Sequence, residues 1–99
     1  MDYRLIYTKL AERDLETIVR YTAKDKPRAA EKVGLELVEP AESLAKMPGR
    51  GSRVRDREGV YKVMNPAYVV LYRVIESYRV VRIQRFWHAR RDPTSLRTE

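Results

Sequence analysis

The sequence predicts an α+β domain in which a helical hairpin packs on one face of a mainly antiparallel sheet. Three observations predict it. The chain opens on a short β-branched and aromatic run; two stretches with apolar residues at helical spacing follow, separated by a proline; and the second half divides into short runs rich in Val, Ile and Tyr with brief breaks between them. The resulting order is β-α-α-β-β-β. With 99 residues the chain has room for one core rather than two, so residues 1–99 read as a single domain.

Tyr3-Arg4-Leu5-Ile6-Tyr7 is the first strand. Thr8 is placed to cap a helix running from Lys9 to about Lys24, in which Ala11, Leu15, Ile18 and Val19 fall on one side and Glu16 and Arg20 form an i,i+4 pair. Ala11 stands where Glu or Gln would complete a capping box. Asp25-Lys26-Pro27 breaks the pattern, and Pro27 suits the first turn of a second helix, where its missing N–H costs nothing. Ala30, Val33, Leu37, Ala41 and Leu44 then make one apolar stripe, with a kink or break expected near Glu39 because Pro40 removes a hydrogen bond.

Met47-Pro48-Gly49-Arg50-Gly51-Ser52 is the clearest loop. Strand-like runs follow at Val54 to Arg57, Val60 to Met64, Tyr68 to Glu76 and Arg79 to Trp87, broken at Gly59, Asn65-Pro66 and Ser77-Tyr78. The tail from Arg90 to Glu99 reads as a terminal turn or frayed end. Along the last strand Val80, Arg82, Gln84, Phe86 and His88 share one parity, and Val81, Ile83, Arg85 and Trp87 the other. Both faces of Tyr68 to Glu76 are apolar, yet a helical hairpin covers only one. The second face, apolar and edged by arginine, is where a partner is expected to bind.

Charge supports that expectation. The net charge is +7, and it is uneven: residues 1–50 hold 10 basic and 9 acidic side chains, whereas residues 51–99 hold 11 basic, ten of them arginine, against 5 acidic. Such a field attracts nucleic acid and acidic proteins alike. The absence of cysteine excludes disulfides, thiolate zinc sites, Fe–S clusters and thiol nucleophiles, and a single histidine excludes multi-histidine metal sites. No metal or cofactor is expected. No apolar run approaches a membrane span and the opening residues lack a signal-peptide pattern, so a soluble cytoplasmic protein is the expectation.

The order of elements and several local patterns resemble the RelE/ParE superfamily of toxins from type II toxin–antitoxin modules. The residues that carry the resemblance are Tyr3-Arg4-Leu5-Ile6-Tyr7-Thr8 with Ala11 and Asp14-Leu15; Tyr21-Thr22-Ala23 before Pro27-Arg28-Ala29-Ala30; Met47-Pro48-Gly49-Arg50-Gly51; Tyr68-Val69-Val70-Leu71-Tyr72-Arg73-Val74; and His88-Ala89-Arg90-Arg91-Asp92-Pro93. RelE-like members look like ribosome-dependent endoribonucleases that cut mRNA, whereas ParE-like members bind and poison DNA gyrase. In the RelE pattern an arginine follows the aromatic residue of the penultimate strand and a terminal tyrosine completes the site; here Val69 holds that position and no tyrosine follows Tyr78. The ending His88-Ala89-Arg90-Arg91-Asp92-Pro93 is similar to that of ParE-like chains. The resemblance therefore implies a ParE-like inhibitor of growth acting on gyrase, with a cognate acidic antitoxin as partner and either a homodimer or a toxin–antitoxin hetero-oligomer as its assembly. The RelE-like alternative implies ribosome and mRNA as targets.

For the nuclease alternative, metal-free RNA cleavage needs an acid–base group and cations for the phosphorane; His88 with Arg73, Arg82 and Arg85 are the candidates. The plainer reading makes His88 a hydrogen-bonded anchor of the C-terminal segment. Candidates for binding target or antitoxin are Arg53, Arg55, Arg57, Arg73, Arg85, Trp87, His88, Arg90 and Arg91. Arg53, Arg55 and Arg57, spaced by two, would share one face of a strand, either as a basic stripe or as a solvated, charge-protected edge. Trp87 reads more readily as core than as an interface anchor, and Tyr61, Tyr68 and Tyr72 as sheet packing rather than base-stacking platforms. Glu12, Asp14 and Glu16 read as the solvated face of the first helix.

Overall fold

A computed structural model describes residues 2–64 and 67–89. The order is β1 (Arg4–Tyr7), α1 (Lys9–Asp25), α2 (Pro27–Ser43), a 3-10 turn (Pro48–Arg50), β2 (Ser52–Arg53), β3 (Val60–Met64), β4 (Tyr68–Ile75), a second 3-10 turn (Glu76–Tyr78) and β5 (Val80–His88). The α+β architecture expected from the sequence is the one observed. The five strands form one sheet in the order β1-β5-β4-β3-β2, with β1 parallel to β5 and every other pairing antiparallel. The expected break at Asn65-Pro66 and the tail from Arg90 onward lie outside the described residues.

The helical hairpin follows the sequence signals closely. The Thr8 hydroxyl oxygen accepts the Ala11 N–H at 3.1 Å, which caps α1, and the same hydroxyl donates to the Gln84 carbonyl at 3.1 Å. One side chain thus ends β1, starts α1 and ties both to β5. Lys26, extended because Pro27 follows it, is the single residue between the helices, and its N–H closes α1 on the Thr22 carbonyl at 2.8 Å. The break expected near Glu39 does not occur: α2 runs through Pro40 to Ser43. Pro40 forfeits one bond, to the Glu36 carbonyl, and its burial offsets that loss.

Both helices lie on one face of the sheet. Ala11, Leu37, Ala41 and Leu44 meet Val63, Val70, Tyr72, Val81, Ile83 and Phe86 in the principal core. Leu37 is fully buried, and truncating it to alanine would cost about 2–5 kcal/mol. Tyr7 stacks on Phe86 at 6.1 Å and Tyr61 on Tyr72 at 5.8 Å within this layer.

Two expectations for the sheet are corrected. Strict alternation along β5 fails, because the register steps from Leu71↔Arg85 to Tyr72↔Ile83 and leaves Gln84 as an extra residue. The bulge switches parity, so Val81 and Ile83 share the helix-side core with Phe86, whereas Trp87 joins Val60, Val69 and Leu71 on the opposite face. The strand expected at Val54 to Arg57 is a turn instead: Asp56 has φ 65° and Gly59 φ 75°, left-handed values that no strand accommodates. The strand preceding this turn is the two-residue β2, whose Ser52 and Arg53 pair with Lys62 and Tyr61. Among the described residues no helix is long and apolar enough to cross a membrane.

Candidate functional site

The face of the sheet away from the helices is built from residues that register places side by side. Side chains directly across a ladder share a face. Lys62 pairs with Leu71, Met64 with Val69 and Val69 with Trp87, and each lies opposite in parity to the helix-side core. Val60, Val69, Leu71 and Trp87 form a second, smaller cluster there, with Val54 packed against it. Over this cluster opens a cleft of about 400 Å³, rimmed by Arg55, Asp56 and Arg57 from the turn after β2, by Lys62 and Met64 from β3, and by Ala89. An arginine-edged apolar face, as expected from the sequence, is therefore present, and among the described residues nothing covers it.

Next to the cleft stand two arginines. Arg73 and Arg82 are direct partners across β4 and β5, between helix-side neighbours on each strand, so both emerge on the open face. The Arg73 Nη1 donates to the Glu58 carbonyl at 3.1 Å, which ties this side chain to the turn before β3.

The remaining candidates separate in space. Arg53 pairs with Tyr61, whereas Arg55 and Arg57 rim the cleft; Arg53 and Arg57 also line a smaller hollow at the turn, so the three do not form a strand stripe, because the turn intervenes. Trp87 is 5% exposed and serves as both cluster member and cleft wall. His88 is exposed at the end of β5, its ring edge-on to Tyr68 at 5.4 Å, and it faces the helix side. Arg82 lies on the opposite face and six residues away, which is roughly 20 Å along a strand. Arg90 and Arg91 lie outside the described residues.

Arg85 is committed to a partner the sequence did not reveal. Its Nε and Nη2 donate to the two carboxylate oxygens of Asp14 at 2.7 and 2.9 Å, and Asp14 Oδ2 also accepts the Phe86 N–H at 3.1 Å. This bidentate pair raises the Arg85 guanidinium above its ordinary range, the hydrogen bond to Asp14 outweighing desolvation. Asp14 is thus no solvated helix residue. Its partner is 71 positions away, and only a pairing across the fold identifies it.

Tyr72 supports the site from beneath. Its hydroxyl donates to the Pro48 carbonyl at 2.9 Å and accepts the Gly51 N–H at 3.0 Å, tying the loop before β2 to the middle of β4. Tyr61, Tyr68 and Tyr72 all pack toward the helix side.

The family model for the ParE toxin of type II toxin–antitoxin systems, parDE, matches residues 5–93. The chain belongs to the ParE toxin family. This ParE-family chain is also 31% identical over 90 residues to Toxin RelE1 of Caulobacter vibrioides, covering 89% of the chain and 95% of that protein. Among solved structures it is similar to the toxin–antitoxin complex RelBE2 from Mycobacterium tuberculosis, at 30% identity and a TM-score of 0.63 over 89% of this chain and 99% of that one. The chromosomal ParDE system from P. aeruginosa gives a TM-score of 0.75 over 87% of this chain and 95% of that one; at 22% identity that likeness is one of fold. The protein is a toxin of the ParE/RelE superfamily, with relatives of both names.

Proposed function

We propose that this toxin acts in the cytoplasm by binding DNA gyrase, without covalent chemistry of its own, and that a cognate acidic antitoxin neutralises it. The observation that carries this reading is the dispersal of the nuclease candidates. His88 faces the helix side, Arg73 and Arg82 face the other side at the far end of the strand, and Arg85 is held by Asp14. General acid–base catalysis requires such groups within hydrogen-bond reach of one reacting phosphate. A binding toxin needs only a surface, and the basic open face with its apolar cleft supplies one. The same face suits an antitoxin segment that is disordered alone and folds on binding.

The test is to incubate the purified chain with DNA gyrase, ATP and supercoiled plasmid. Trapped double-strand cleavage products and lost supercoiling are expected. Intact gyrase activity in the presence of a folded chain that stops growth would refute the gyrase reading. The likeness to RelE1 and RelBE2 favours mRNA cleavage at the ribosome as the second reading.

A further inference from the structure

One wall of the cleft, the one that carries Val54, Arg55, Asp56 and Arg57, is a turn whose tip is held from another strand. Its own hydrogen bonds are local: the Arg57 N–H donates to the Val54 carbonyl at 3.3 Å, the Val60 N–H to the Arg57 carbonyl at 3.2 Å and the Val54 N–H to the Val60 carbonyl at 2.9 Å. They fix the shape of the turn and close it on the start of β3. Its root is fastened by the Val54 side chain, which packs on the apolar cluster. Its tip is fastened by Arg73 of β4, which stands across from Val60 and donates from Nη1 to the Glu58 carbonyl at 3.1 Å. The seat is close-fitting, because a Cβ on Gly59 would stand 2.8 Å from the same nitrogen.

We propose that Arg73 is the latch of this wall, a positioning residue that sets the width of the cleft and the placement of Arg55 and Arg57 on its rim. This role rests on the reading above, in which the cleft meets the target. A charged donor makes a stronger hydrogen bond to a carbonyl than the neutral donors inside the turn do. The bond also joins segments 15 residues apart, so it restrains the turn as a body, which the local bonds cannot. Gly59, left-handed at φ 75°, is the pivot: without a Cβ it turns at the junction with β3 at little cost. With the latch released, the turn swings about Gly59 and Val54, and a cleft of about 400 Å³ widens on the side of its cationic rim. Arg82 separates this role from one of charge alone. It lies directly across from Arg73 on the same face and carries the same charge, so charge is common to both and the bond to the turn is what distinguishes Arg73.

Trp87, the single tryptophan of the chain, lines the cleft and reports on its width, and trypsin sites after Arg55 and Arg57 report on the turn. Acrylamide quenching of Trp87 and the rate of tryptic cleavage at those two sites, followed by mass spectrometry, are measured on the full chain, with circular dichroism confirming that each variant is folded. Arg73→Met is expected to raise the quenching constant about threefold and the cleavage rate about fivefold. Arg73→Lys keeps a charged donor and should recover most of both changes, and Arg82→Met should leave both within about 1.5-fold of wild type. With gyrase, ATP and supercoiled plasmid, about tenfold more Arg73→Met protein than wild type should be needed for the same loss of supercoiling, with Arg73→Lys again close to wild type. Quenching and cleavage that stay at wild-type values in a folded Arg73→Met protein overturn the latch, as do equal rises in the Arg73→Met and Arg82→Met proteins. So does equal potency of the Arg73→Met and wild-type proteins on gyrase, which would leave the turn without a part in binding. A wild-type chain that leaves gyrase untouched, with the quenching and cleavage pattern as expected, refutes the gyrase reading and upholds the latch.

Discussion

Asp14 of α1 holds Arg85 of β5 through both carboxylate oxygens, at 2.7 and 2.9 Å, and spends a further lone pair on the Phe86 N–H. The contact sits where β1 stops: β1 pairs with β5 only as far as Ile83, and beyond that point no described strand pairs with that edge of β5. Thr8 takes the Gln84 carbonyl and Asp14 the next donor, so the start of α1 continues the hydrogen bonding that β1 leaves off. The bulge at Gln84 falls at the same place, and it is what turns Trp87 toward the open cleft. The helix anchor and the shape of the binding face are therefore one construction.

Breaking that anchor should be expensive. Asp14→Ala removes the carboxylate that binds a nearly buried guanidinium through both oxygens and that accepts the Phe86 N–H, with an expected loss of about 3 kcal/mol in urea denaturation. Arg85→Met added to Asp14→Ala should recover most of the loss, because the nearly buried charge that Asp14 balanced is gone. Additive losses in this double-mutant cycle would refute the coupling.

Two glycines two positions apart, Gly49 and Gly51, should respond differently to alanine. A Cβ on Gly51 would overlap the Tyr72 hydroxyl and stand 2.5 Å from the Lys62 carbonyl oxygen, whereas one on Gly49 meets nothing within 4 Å. Gly51→Ala should lower stability by about 2 kcal/mol or more, and Gly49→Ala should stay within about 0.5 kcal/mol. Thermal melts of the two variants decide it, since composition and loop position are nearly the same for both.

Burial raises the Tyr72 phenol above its ordinary value, and burial does the same for Tyr7 and Tyr68. The folded state then holds these protons more tightly than the unfolded chain does. Stability from this source is complete below about pH 10 and declines as pH rises through the folded-state values. Tyr72→Phe should cost about 1–2 kcal/mol at pH 7, through the lost bonds to Pro48 and Gly51, and should make the alkaline decline shallower. Melting temperatures recorded from pH 8 to 11.5 that fall equally steeply in both proteins would count against this role.

Thr8→Ala removes both the cap of α1 and the bond to Gln84, with an expected cost of about 1–2 kcal/mol. Thr8→Ser keeps the hydroxyl and should recover most of it. Equal stability of the Ala and Ser variants would show that the hydroxyl contributes nothing.

His88→Ala should leave growth inhibition and gyrase cleavage products undiminished, because the ring faces the helix side away from the cleft. Colony counts after induction check this directly. Loss of toxicity in a folded His88→Ala protein would move the target to the ribosome.

Much of this molecule was determined by sequence alone, and the parts share a cause. The first strand, Thr8 as cap, the turn at Lys26-Pro27, the apolar stripe from Ala30 to Leu44 and the α+β order all depend on neighbours within a few positions. The existence of a second apolar face also followed from local composition, since Tyr68 to Ile75 is apolar on both parities. What the tertiary structure decided is which residues meet. A strand at Val54 to Arg57 satisfied propensity, but the left-handed residues Asp56 and Gly59 turn the chain back to pair Val54 with Val60. Asp14 read as a solvated acid because its partner is 71 residues distant. Parity failed along β5 because one bulge, set by the ends of neighbouring strands, changes the face of every later residue. Local patterns act through backbone geometry over a few residues, whereas register, bulges and ion pairs across the fold are settled only when the strands close against one another.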